Sequence, residues 1–266
     1  MPWLGPDTIR RVWTDPSLLS VGLSFSVPAL CILLAHELGH YLTCRRYGLP
    51  ATPPYFIPAP VGLGTFGAFI RIRARFPNRR ELFDVGIAGP LAGFVTLLPF
   101  LVYGVAQSRP AAIHTVSASD ANALLLVPGK TLLISALTRV FHGDLAEGMV
   151  LDLHPLALAA WVGLLVTALN LLPLGQLDGG HILYALNRQW HRRLSIPLWL
   201  LLIAVGWFWR GWLLWGILVF FMGLRHPPVR DESQPLDSRR QLLAALALLI
   251  FILSFMIVPV ELRTVQ

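Results

Sequence analysis

Apolar residues in this chain fall into long runs separated by polar or irregular stretches. The first run covers 18–44, the second 84–106 and the third 155–174. A fourth, 196–224, exceeds the roughly 20 residues that one bilayer-spanning helix needs. Arg210-Gly211 interrupts it, so it reads as two short, closely paired helices. The last run covers 241–259. The pattern predicts an all-α polytopic membrane protein of about six transmembrane helices with a short membrane-associated β-hairpin. Residues 1–225 then form a membrane-embedded core, 226–240 a polar cytoplasmic connector, and 241–266 a C-terminal transmembrane helix and tail.

Two stretches between the runs are more than linkers. The run Pro53-Pro54-Tyr55-Phe56-Ile57-Pro58-Ala59-Pro60 excludes a regular helix. The glycine-rich 62–67 that follows, and then Phe69-Ile70-Arg71-Ile72-Arg73, predict a hairpin with an alternating second arm. Irregular backbone at membrane depth is tolerated only against protein or a wet cavity. Further along, Leu124–Phe141 within 107–153 predicts a short interfacial helix.

Composition agrees with a membrane chain: 55% apolar, 13% charged, mean hydropathy +0.65, where soluble domains carry about 25% charged residues. The net charge of +7 does not imply nucleic acid. Only Lys130 of the 21 basic residues is a lysine, and the arginines cluster at the ends of apolar runs, as topology determinants do. Six spans, with the first run ending in the cytoplasm, put fourteen basic residues on that side and seven on the other. The segment 1–16 lacks the pattern of a cleavable signal peptide. Cys31 and Cys44, about 20 Å apart on one helix, are too distant to pair.

Inside the first run lies His36-Glu37-Leu38-Gly39-His40, an H-E-x-x-H motif. On a helix, positions i and i+4 share a face, so both imidazoles can address one metal ion. Glu37 lies close enough to handle the proton of an attacking water. Ionisable groups at membrane depth are costly, and function is their default explanation. A catalytic zinc takes three protein ligands. The third run ends Asn170-Leu171-Leu172-Pro173-Leu174-Gly175-Gln176-Leu177-Asp178-Gly179-Gly180-His181. Asp178 ranks first as third ligand and lies at a depth matching the histidine pair; His181 ranks second. Pro173 and Gly175 open the backbone there.

Together, His36-Glu37-Leu38-Gly39-His40 and Asn170-x-x-Pro173-x-x-x-Leu177-Asp178-Gly179 resemble the site-2 protease family of intramembrane zinc metalloproteases. Pro54-Tyr55-Phe56-Ile57-Pro58, Gly64-Thr65-Phe66-Gly67-Ala68 and Gly86-Ile87-Ala88-Gly89-Pro90-Leu91-Ala92-Gly93 resemble its compact branch, which lacks a PDZ domain. The resemblance implies one Zn2+ per chain held by His36, His40 and Asp178, with Glu37 as acid/base. It also implies Asn170 as a substrate or oxyanion contact, and a hairpin that guides substrate through Gly64, Phe66, Gly67, Ile70 and Ile72. The expected partners are a transmembrane protein substrate and the lipid bilayer, without nucleic acid. The expected place is a bacterial plasma membrane, with the site toward the cytoplasm. A membrane zinc transporter and a non-catalytic membrane adaptor are the competing classes; Glu37 between the two histidines favours hydrolysis over both.

Overall fold

The computed structural model describes residue 15 and residues 17–58, 65–112 and 124–264. Gly64, and nearly all of the segment examined for a signal peptide, lie outside them. The described chain is mostly helical, with three small antiparallel strand pairs.

Helix α1 (Ser17–Arg46) carries Pro28 within it and two arginines in its last turn. Helix α2 (Arg79–Gln107) starts at Asn78, whose side chain accepts from the Glu81 amide at 3.0 Å and donates to the Glu81 carboxylate at 2.9 Å. The first of these bonds satisfies a backbone donor that a helix start leaves open, and the second holds the capping side chain in place. Among the described residues, 22–46 and 79–107 are the two helical stretches long and apolar enough to cross a membrane. Leu82, Phe83, Val85, Ile87, Leu97, Leu101 and Val105 of α2 are all buried, because α1 packs on one side of it and the later helices on others. Gly39 permits a close approach of the α1 and α2 backbones: a Cβ there would lie 2.4 Å from the Ala88 carbonyl oxygen. Small residues at such crossings are how apolar helices gain contact where hydrophobic burial drives little.

The predicted hairpin forms with different bounds. Strand β1 (Tyr55–Pro58) is the proline-rich run itself, and β2 (Thr65–Phe69) precedes the alternating segment. Pairing resumes beyond it: Ala51 faces Ile72, flanked by Thr52 N–H to Arg71 O at 3.0 Å and Arg73 N–H to Pro50 O at 2.9 Å. The stretch 107–153 also departs from the predicted single helix. Strand β3 (Arg109–Ala112) is followed by β4 (Leu124–Pro128), helix α3 (Leu132–His142) and β5 (Met149–Asp152), with β3 on β5. Pro128-Gly129 ends the strand, and Thr131 caps α3 by accepting from the Ile134 amide.

Helix α4 (Pro155–Leu171) begins with proline at its first position and is buried along most of its length. Pro173 and Gly175, at φ 53°, break the chain as expected. A nine-residue helix then follows that the hydrophobic pattern did not reveal, α5 (Asp178–Leu186). Helices α6 (Arg188–Val205) and α7 (Gly211–Met222) make the paired unit, with the break at 206–210. Helix α8 (Ser238–Ser254) leads to β6 (Val260–Thr264), which pairs with β4.

Candidate active site

Three side chains from distant parts of the sequence meet where α1, α2 and α5 come together. His36 Nε2 lies 3.1 Å from His40 Nε2, and each lies 3.3 Å from Asp178 Oδ2. Two ligand atoms about 2.0–2.1 Å from a tetrahedral ion stand roughly 3.3–3.4 Å apart. The observed triangle is therefore close to one face of such a tetrahedron. Among the described residues this is the group of His, Cys, Asp and Glu side chains that could hold a metal ion.

The orientation of His40 is set from behind. Its Nδ1–H donates to the Val85 carbonyl on α2 at 2.7 Å. A carbonyl only accepts, so the proton of a neutral ring sits on Nδ1 and Nε2 presents its lone pair to the site. Such backing of a metal-binding histidine fixes both tautomer and ring direction. A Cβ at Gly89 would lie 2.1 Å from His40 Nε2, and one at Gly93 3.3 Å from the His36 Cβ. The glycine-rich face of α2 is thus the floor on which the imidazoles rest. Asp178 occupies the first turn of α5, where the positive end of the helix dipole favours a carboxylate.

Glu37 Oε1 lies 4.0 Å from His36 Nε2, beside the triangle rather than in it, and its side chain is mostly shielded from solvent. The Ile70 backbone amide is directed at the same carboxylate. Asn170, in the last turn of α4, has Nδ2 at 3.4 Å from His36 Nε2. His36, Glu37, His40, Asn170 and Asp178 are therefore gathered in one place.

His181 is not in the triangle. Its Nδ1 pairs at 2.8 Å with Nε2 of His226, from the connector after α7. Of the five hairpin positions, Gly67 lies within β2 and Phe66 at its second residue. Ile70 and Ile72 lie just beyond it, with Ile72 opposite Ala51. The flanking bonds at 52 and 73 make 51 and 72 a non-hydrogen-bonded pair, so the N–H and C=O of Ile72 point away from the 50–52 segment. By alternation Ile70 exposes the same edge. The Ile70 end of that edge faces Glu37.

Residues that the sequence pattern passed over hold the site from outside. The Arg79 guanidinium donates to Ala185 O at 2.8 Å (Nε) and to Leu186 O at 2.7 Å (Nη2), capping the C-terminus of α5. Tyr184 donates to Glu232 at 2.7 Å, and Arg188 pairs with the same carboxylate at 2.6 Å. His191, fully buried, donates to the Gly175 carbonyl at 3.2 Å and holds the loop before Asp178. None of these has a local signature. Each partner lies far along the chain or in a connector with no motif of its own.

A profile of Peptidase family M50 matches residues 24–202. The chain is 33% identical over 236 residues to the rice (Oryza sativa subsp. indica) protein named "Probable zinc metalloprotease EGY2, chloroplastic", covering 86% of this chain and 41% of that protein. It is 31% identical over 259 residues to the Arabidopsis thaliana protein of that name, covering 97% and 45%. To the Oryza sativa subsp. japonica protein named "Probable zinc metalloprotease EGY1, chloroplastic" it is 39% identical over 199 residues, covering 67% and 32%. The chain spans less than half the length of these relatives. The matched region contains both halves of the site, and the chain belongs to peptidase family M50.

Proposed function

We propose that this chain is an intramembrane zinc metalloprotease that hydrolyses peptide bonds in or near transmembrane segments of membrane proteins. The observation that carries the reading is the triangle of His36, His40 and Asp178 with Glu37 at its side. Family membership and relatives named as zinc metalloproteases support it. His36, His40 and Asp178 would hold one Zn2+; the donor set, two imidazoles and one carboxylate with an open position, suits a catalytic site. When bound, zinc supplies a Lewis acid and makes water acidic enough to lose a proton near neutral pH. Glu37 takes the proton of the attacking water and returns it to the leaving nitrogen. Asn170, through Nδ2–H, donates to the oxygen that gains charge, a role typically worth about 3–4 kcal/mol.

We read α1, α2, α4, α6, α7 and α8 as the six membrane-crossing helices. At 12 residues, α7 is about 18 Å long, short of the roughly 30 Å hydrocarbon layer, so in this reading the bilayer thins locally around it. Arginines at the C-terminus of α1, before α2 and around α6 support a cytoplasmic location for that end. His36 then lies about 15 Å in from Arg46 along α1. On the Arg-rich loops we place the chain in a bacterial plasma membrane; the matched plant relatives are named chloroplastic.

A helical substrate hides its carbonyls in its own hydrogen bonds and must unwind locally to be cut. The outer edge of 70–72 offers the freed strand partners next to Glu37, the chemistry of β-augmentation.

The test is a comparison of purified variants. Glu37→Gln is expected to abolish cleavage of a membrane substrate while one zinc per chain is retained. His36→Ala and Asp178→Asn are expected to lose zinc. Zinc loss in Glu37→Gln, or zinc at full occupancy in both ligand variants, would overturn the assignment.

A further inference from the structure

Helix α5 carries Asp178 yet has little to hold its own shape. It is nine residues long, and isolated helices of that length do not persist in water. Gly179-Gly180 follow Asp178 in its first turn, and glycine is a poor helix former. Its N-cap, Leu177, makes no side-chain cap. Its geometry therefore rests on outside anchors. Arg79 holds its end, and Tyr184, hydrogen-bonded to Glu232, holds its middle. The described anchor nearest Asp178 is His181, one turn along, bonded to His226.

The direction of that bond follows from its ends. His226 Nδ1 faces the Pro227 carbonyl, which can only accept, so Nδ1 carries the proton. Burial pushes the His226 imidazole down to about 4, so the ring is neutral near pH 7 and its Nε2 is an acceptor. His181 Nδ1–H is then the donor. His181 packs closely on α2: a Cβ at Gly86 would lie 2.8 Å from the His181 Cβ. The His226 ring also packs on Tyr184, centroids 4.5 Å apart. One connector side chain thus grips two successive turns of α5.

We propose that His226 is a positioning residue for the metal ligand Asp178, acting through His181 and the first turn of α5. The inference rests on the metal-centre reading above. It makes the α7–α8 connector a working part of the site, through His181 and Tyr184 rather than through the metal ligands themselves.

The test uses the full chain in detergent, with zinc affinity measured by chelator competition and backbone hydrogen exchange measured on zinc-free protein. His226→Phe keeps an aromatic ring against Tyr184 and removes the acceptor. It is expected to lower zinc affinity about tenfold, within the 10–100-fold range for groups that support a ligand. Exchange across 179–186 should speed up, with α1 and α2 unchanged. His226→Gln, whose amide oxygen can accept from His181, should stay within about threefold of wild type. The double variant His181→Phe/His226→Phe should lose no more than the larger single loss, because both remove one bond. If His226→Phe does not fold, His226→Ala takes its place with the same expected losses. Wild-type affinity and wild-type protection in the variant overturn the proposal. A wild-type chain that binds no more zinc than His36→Ala overturns the metal-centre reading instead, and the exchange comparison then judges the clamp alone.

Discussion

Within the triangle, one carbonyl and one absent side chain decide what His40 can do. Val85 O takes its Nδ1–H, and Gly89 leaves the ring its space. Gly89→Ala would put a methyl group where the imidazole lies. The helix backbone cannot retreat without disturbing α1, so the ring must turn away from Val85. Zinc affinity is expected to fall by about 10–100-fold, as for other losses of ligand support, with helix content by circular dichroism unchanged. Unchanged affinity would mean that the ring is not held against α2. The glycine was visible in the sequence as part of Gly86–Gly93, but its purpose was not. Only the crossing of α1 over α2 shows which of these glycines faces which histidine.

At the level of elements, the edge beside Glu37 and the connector over α5 are the parts open to experiment. Ile72→Pro removes an N–H that points away from the paired segment, so the hairpin itself should survive, proline being tolerated on the open side of an edge strand; Ile70→Pro also removes the amide directed at Glu37, so Ile72→Pro is the variant that isolates the edge. Turnover of an intact membrane substrate should drop about fivefold or more, one lost backbone hydrogen bond being worth roughly 1 kcal/mol or more, while zinc content stays at the wild-type level. Normal turnover in both variants would remove the edge from the mechanism. In the connector, burial pushes Glu232 upward, but the Tyr184 hydroxyl and the Arg188 guanidinium outweigh it and hold the carboxyl below its ordinary 4.5. A group held low in the folded state stabilises fully above its unfolded value, and that contribution is lost as pH falls through the folded value. Thermal melts at about pH 6 and about pH 3 bracket that loss. The wild type should lose more Tm over that interval than Glu232→Gln, and equal losses would show that Glu232 adds nothing to the clamp.

For the molecule as a whole, the group of His36, His40 and Asp178 joins α1 to α5, two elements brought together over about 140 residues of chain. A ligand that binds only the folded state adds stability by mass action, about 4 kcal/mol at a thousandfold excess over Kd. Removing zinc with a chelator should lower Tm, and returning zinc should restore it. Asp178→Asn should show a much smaller shift on the same treatment. A wild-type Tm that ignores chelator would indicate that α1 and α5 are held together without the ion.

What was legible in the sequence was whatever depends on local spacing. The i, i+4 histidines, the apolar runs, the proline and glycine break before Asp178 and the strand character near 55–73 all follow from backbone geometry and burial over a few residues. Helix α5 escaped notice because nine residues with a glycine pair carry too little periodicity to stand out. The interfacial stretch was misjudged because β4 pairs with β6, some 135 residues away, and no local pattern announces such a partner. The strands of the hairpin shifted for a related reason, since prolines that forbid a helix still permit an edge. The choice between Asp178 and His181 was likewise left to the tertiary structure: one helical turn separates them, and only the packing of α5 against α2 and the connector aims one at the histidines and the other at His226.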